Sequence, residues 1–188
     1  MKALFLSFLV LFLMVSVVPA QEGAEEDTTP KPSKTVKKDK KPAAVVATAL
    51  RKLKYSGSKP NAKAKFYIFL HSASYCPPCR EEMPGIAKEY SKMKTAGVEL
   101  VLFSHDAAEA DTKAWLKSEK AKFPVVMISA NKEKTLEKVP GYGKVEGIPH
   151  AVILDAEGNQ IKEGHGAIVK EWAQYAVEKK EDNAAEEE

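Results

Sequence analysis

Hydrophobic positions along this chain fall into short blocks whose period changes from one block to the next. Ala43 to Lys54 carries Val46, Leu50 and Leu53 at helical spacing and runs into "YSGSKPN", a turn-rich break. Lys65 to Leu70, "KFYIFL", is almost continuously apolar, which predicts a strand buried on both faces, as in a parallel sheet. Pro77 to Lys94 returns to helical spacing, with Met83, Ile86, Ala87, Tyr90 and Met93 on one stripe, and Gly97 ends it. Val98 to Phe103, "VELVLF", predicts a second strand. Strand, helix, strand in this order predicts a crossover joining parallel neighbours.

Further on, Glu109 to Lys120 predicts an amphipathic helix with Trp115 and Leu116 inward. Pro124 to Ile128, "PVVMI", predicts a short strand at the sheet edge, and Lys132 to Val139 a short helix. Ala151 to Leu154, then "DAEGNQ", then Ile161 to Glu163 has the pattern of a hairpin around a Gly-containing turn. Ala167 to Lys179 predicts a closing helix with Trp172, Tyr175 and Ala176 inward. The expected architecture is α/β: a central mixed β-sheet flanked by helices on both faces.

Composition bounds the rest. The chain has 188 residues, 44% hydrophobic and 29% charged, enough for one ordinary domain, expected over residues 45–178. A net charge of +3 is too small to indicate nucleic acid as a partner. Lys2 is the only charge in residues 1–20, an apolar run follows from Ala3 to Val18, and Val18-Pro19-Ala20 places small residues at a cleavage position. Residues 1–20 therefore read as a signal peptide. The run is 16 residues, below the ~20 that span a bilayer comfortably, so cleavage is preferred over a retained anchor. Residues 21–44 run acidic, then lysine-rich, with almost no large apolar side chain, and read as a flexible charged linker. Residues 179–188 read as a disordered acidic tail. The expectation is an exported chain, periplasmic or extracellular, without stable membrane insertion once the signal is removed.

Candidate chemistry concentrates in "HSASYCPPCREEMP", residues 71–84, which holds the only two cysteines, Cys76 and Cys79. The motif follows the strand "KFYIFL", at the sheet edge where α/β proteins gather reactive groups. A structural staple closing so short a loop would stabilise the fold by only roughly 2 kcal/mol. Zinc would need two histidines, and His71, His105, His150 and His165 lack ligand spacing. A Cu(I)-binding or metallochaperone module using the two thiolates is harder to set aside and stands as the alternative.

A reactive dithiol has the most direct rationale. A thiol at a helix N-terminus is drawn toward its thiolate by the dipole. Lowering a thiol from about 8.5 to about 7 takes roughly 2 kcal/mol, of which the dipole supplies about 0.3–1. Arg80 adds a favourable charge, Glu81 and Glu82 oppose it, and Pro77 and Pro78 contribute no N–H. The expected result is a modest lowering to near neutral. By position, Cys76 is expected to be the exposed nucleophile and Cys79, one turn in, the more buried resolving thiol.

The segments "FYIFLHSASYCPPCREEMP", "VELVLFSHD" and "VEGIPHAVILDAEGNQI" together resemble the thioredoxin superfamily over about residues 65–165. Within it they are most similar to the tryparedoxin and nucleoredoxin-like branch and to periplasmic thiol-disulfide oxidoreductases. The resemblance implies a thioredoxin-like fold and an enzyme that exchanges disulfides with partner proteins through a redox-active Cys76–Cys79 disulfide; reduction of partners is preferred over oxidation, although C-P-P-C does not fix the redox potential. It implies no other cofactor, no metal, a monomer, and an upstream electron donor. It also implies a cis Ile148–Pro149 bond in a loop lying against the dithiol and docking the partner backbone.

Three positions depart from the family pattern. Tyr75 stands where Trp is usual before the first cysteine, Leu70 where many members carry a buried Asp, and His150 where Thr often follows the cis-proline. Strand alternation turns His71 away from the dithiol, so it cannot replace the missing acid. His150 is expected at the surface rim of the site. His105 and Asp106 are expected to cap or turn, His165 to sit in a turn, and Trp115 and Trp172 to be core aromatics.

Overall fold

The computed structural model describes residues 44–143 and 145–176. The expected signal segment, the tail, and all but the last residue of the linker lie outside the described residues. The elements in chain order are α1 (Val45–Leu50), β1 (Tyr55–Ser56), β2 (Phe66–Ser72), α2 (Pro77–Thr95), β3 (Val98–Ser104), α3 (Glu109–Ser118), β4 (Val125–Met127), α4 (Glu133–Leu136), β5 (His150–Asp155) and β6 (Gln160–His165). A 3-10 turn follows β4, and a longer one, Gly166–Glu171, follows β6.

The six strands form one sheet in the order β1-β4-β3-β2-β5-β6. β2, β3 and β4 are parallel, whereas β1, β5 and β6 each run antiparallel to their neighbours. Every residue of β2 and β3 is buried, which is why these two segments read as continuous apolar runs. The sheet and its flanking helices make a thioredoxin-like α/β fold.

Alternation sorts the sheet into two cores. Phe66, Ile68 and Leu70 of β2 face α2 and pack with Met83, Ile86, Met93, Leu102, Trp115 and Ala151. Tyr67 and Phe69 face the other way and pack with Val46, Leu50, Phe103, Val126, Leu136 and Leu154. Each fully buried large side chain contributes about 1.5–3 kcal/mol of transfer free energy. Gly97, at φ +80°, ends the long α2 in a conformation that a side chain would strain, and its carbonyl accepts the Lys65 amide where β2 begins.

Three expectations are corrected. "PVVMI" is not the sheet edge, because Tyr55 and Ser56 pair with Val126 and Val125 and form the edge themselves. That two-residue strand sits inside the stretch read as a break, too short to show any period. The closing segment begins as a 3-10 turn and becomes α-helical only at residues 172–176.

Candidate active site

Cys76 is the N-cap of α2, with extended backbone angles (φ −90°, ψ 113°), and Pro77 and Pro78 open the helix. Proline suits the first helical positions because its fixed φ matches the helix and no N–H is needed there. Cys76 and Cys79 form a disulfide across one turn, with Cα atoms 5.3 Å apart. The two prolines remove two amides, but a third remains. The Cys79 N–H points at Cys76 Sγ from 3.4 Å, the placement that favours a sulfur anion.

From the other side, the Ile148 carbonyl oxygen lies 3.6 Å from Cys76 Sγ. The Ile148–Pro149 bond is cis, and the loop is tied down by the Gly166 N–H, which donates to the Pro149 carbonyl at 3.1 Å. This covering loop overturns one expectation: Cys76 is only 7% exposed, against 2% for Cys79, so the outer sulfur is itself nearly enclosed. Tyr75, Pro77 and Pro78 form the exposed surface around it. Arg80 does not turn toward the sulfurs. Its guanidinium donates to the Ser74 carbonyl at 3.2 Å and so holds the loop that precedes Cys76.

The same loop is held from β3. Asp106 is buried and accepts from the Ser74 amide and hydroxyl, both at 2.9 Å, from Thr112 Oγ1 at 2.6 Å and from Ser104 Oγ at 3.3 Å. This is the expected turn role, extended to anchoring the segment that delivers the first cysteine.

Glu82 was read only as a charge unfavourable to a thiolate. In the structure it is a largely buried carboxylate, three residues beyond Cys79 on α2, and its Oε2 is enclosed without a hydrogen-bond partner. Burial raises its pKa above the ordinary carboxylate value, His165 and Lys170 pull it back down, and Glu81 pushes it up. Glu82 Oε1 lies 3.1 Å from His165 Nδ1, so His165 is more than a turn residue. Nothing local in the sequence marks this, because the surrounding residues come from the loop before β5 and from the end of β6 and just beyond it.

The other three histidines meet on the opposite face. His71 is 1% exposed, stacked on Phe103 and edged by Tyr142, and its Nδ1 lies 3.1 Å from His105 Nε2. Burial, reinforced by His105 and His150, pulls the His71 pKa down to about 3. Burial also lowers that of His105, opposed by Asp106. His150 points to this face, 6.2 Å from His71 between ring centroids, and pairs with Glu163 at 2.9 Å. That corrects its expected place at the rim of the dithiol. Among the described residues, no group of three or more His, Cys, Asp or Glu is arranged to hold a metal ion. Among those residues, too, no helix is long and apolar enough to cross a membrane.

The model of the AhpC/TSA family matches residues 47–162. Thiol-disulfide oxidoreductase ResA of Bacillus thuringiensis subsp. konkukian is 30% identical over 113 residues, covering 60% of this chain and 62% of that protein. Nucleoredoxin of Xenopus laevis is 25% identical over 153 residues, covering 80% of this chain and 34% of that protein. The structure of tryparedoxin I from Leishmania major is similar with a TM-score of 0.46 at 28% identity, over 61% of this chain and 76% of that one. The chain thus spans less than two thirds of the length of the bacterial relatives it matches.

Proposed function

The chain belongs to the AhpC/TSA family, and on that premise we propose that it is a thiol-disulfide oxidoreductase that reduces partner-protein disulfides through Cys76 and Cys79. One observation carries this reading. The two sulfurs are bonded to each other at the start of α2, beneath a cis-proline loop whose Ile148 carbonyl meets Cys76 Sγ.

In the reduced protein, the Cys76 thiolate attacks one sulfur of a partner disulfide. The partner's S–S bond breaks, a Cys76–partner S–S bond forms, and the leaving partner thiolate takes up a proton. Cys79 then gives up its proton and attacks Cys76 Sγ. The mixed disulfide breaks, the Cys76–Cys79 disulfide forms, and the second partner thiolate leaves and is protonated. Two electrons and two protons pass to the partner, and an upstream donor dithiol restores the pair. The helix N-terminus and the Cys79 amide steady the Cys76 thiolate. Residues three apart on a helix are neighbours, so Glu82 is placed to take the Cys79 proton, and its raised pKa suits a base. Tyr75 and the 148–149 loop supply the docking surface.

The redox-active disulfide is the only group this cycle needs. Similarity to thiol-disulfide oxidoreductase ResA supports the reaction class. The apolar segment before Ala20 supports export to the periplasm or beyond the cell. The test is insulin reduction by the full chain fed with dithiothreitol. Cys76→Ser and Cys79→Ser should each fall to the uncatalysed rate, and an unchanged rate in Cys76→Ser would refute the reading.

A further inference from the structure

We infer that His165 is a positioning residue for the dithiol reaction: it holds Glu82 as a carboxylate and passes its proton to solvent. The inference rests on the oxidoreductase reading and adds to it a residue at the far end of β6. Cys76 and Cys79 are 7% and 2% exposed, so a proton leaving Cys79 needs a protein group to receive it. The strand beneath offers only the apolar Leu70.

A side chain on Gly166 would come within 2.5 Å of Glu82 Oε2 and 2.7 Å of Pro149 Cβ. The bare glycine thus makes the space in which the carboxylate lies against the cis-proline loop. Glu82 is 14% exposed and His165 59% exposed, with 3.1 Å between Oε1 and Nδ1. A buried carboxyl is therefore one proton hop from solvent.

His165 Nδ1 has two mutually exclusive partners. Without a proton it accepts the Ala167 N–H at 3.4 Å, capping the 3-10 turn Gly166–Glu171. With a proton it can only donate, and Glu82 Oε1 is the acceptor in reach. The other charged groups acting on Glu82 are Lys170, from the turn after β6, and Glu81, on its own helix.

The step balances without any further reactant. The Cys79 thiol and the Glu82 carboxylate become the Cys79 thiolate and the Glu82 carboxylic acid. Protonated His165 gives its own proton to solvent, and the Glu82 acid then passes the Cys79 proton to the neutral His165, which restores the starting pair.

The test pairs a titration with kinetics on the full chain. Carboxyl NMR of the oxidised protein follows Glu82 directly and needs no activity. His165→Gln should raise the Glu82 midpoint by about one unit, and His165→Arg should restore it. In insulin reduction between pH 5 and 9, His165→Gln should slow turnover by about 5- to 10-fold at the acid end and progressively less at higher pH. The double variant with Glu82→Gln should be no slower than Glu82→Gln alone. An unmoved Glu82 midpoint, or rate losses that multiply, would overturn the role of His165. Wild-type chain inactive on insulin at every pH would instead refute the oxidoreductase reading, while the titration still reports on the pair.

Discussion

On the α2 face of the sheet, the ends of β2 and β5 present Leu70 and Ala151, and the disulfide packs in one cluster with them. One residue further along each strand, on the opposite face, His71 and His150 are themselves paired in the sheet and share their surroundings with His105 and Tyr142. The same sheet edge therefore carries an apolar bed for sulfur on one side and a cluster of imidazoles on the other. Because side chains alternate, no histidine on these strands can serve the dithiol. The ionisable groups on the sulfur side come instead from other elements: Glu82 from α2 and His165 from the last position of β6. The comparison teaches that the acid missing from position 70 is replaced from another element, and that nearness in sequence to the cysteines is a poor guide to which charges reach them.

The largest test of this contrast puts charge where the sulfur face has none. Leu70→Asp buries a carboxylate without a partner and should cost about 3–5 kcal/mol in urea unfolding. A loss below 1 kcal/mol would mean that this face accommodates charge. Next comes the anchor between β3 and the cysteine loop. Asp106→Ala leaves the Ser74 amide and the hydroxyls of Ser74, Thr112 and Ser104 without their acceptor, and should cost on the order of 3 kcal/mol and slow disulfide exchange as well.

The imidazole face should show itself in acid. His71 is held near 3 in the fold against 6.5 when exposed, so between these values the unfolded chain binds the extra proton. Its contribution is whole above about pH 6.5 and is lost as pH falls, by about 2 kcal/mol at pH 5. His71→Leu should flatten that slope, and an unchanged slope would contradict the buried neutral state. The smallest expected effect is that of His150→Ala. It removes a partly exposed pair with Glu163, costs less than about 1 kcal/mol, and should leave insulin reduction within about twofold. A large loss of activity would bring His150 back to the dithiol.

Much of the frame was legible along the chain because burial on both faces leaves a local mark. "KFYIFL" and "VELVLF" are apolar throughout since every residue in β2 and β3 is enclosed, and the stripe Met83, Ile86, Tyr90, Met93 is the buried face of α2. The dithiol and the proline that faces it were legible as motifs. What escaped has a common cause: it depends on surfaces brought together across long separations. Two residues of β1 show no period, and only their pairing with β4 makes them the edge. Cys76 looked exposed at a helix start, yet the 148–149 loop covers it. Glu82 stood out in the sequence only as a charge opposing the thiolate, because the space it fills exists only where Gly166 passes Pro149. The three-histidine cluster needed the β2–β3 and β2–β5 registers, in which His71 pairs with Phe103 and with His150.

The central claim is the division of labour between the two sulfurs, and trapping tests it most directly. Cys79→Ser and Cys76→Ser are expressed as full chains, partner proteins are captured under alkylating conditions, and mixed disulfides are mapped by mass spectrometry. The account predicts that Cys79→Ser accumulates partners bonded through Cys76, whereas Cys76→Ser accumulates few or none. Equal trapping through Cys79, or no mixed disulfides with either variant, would contradict it.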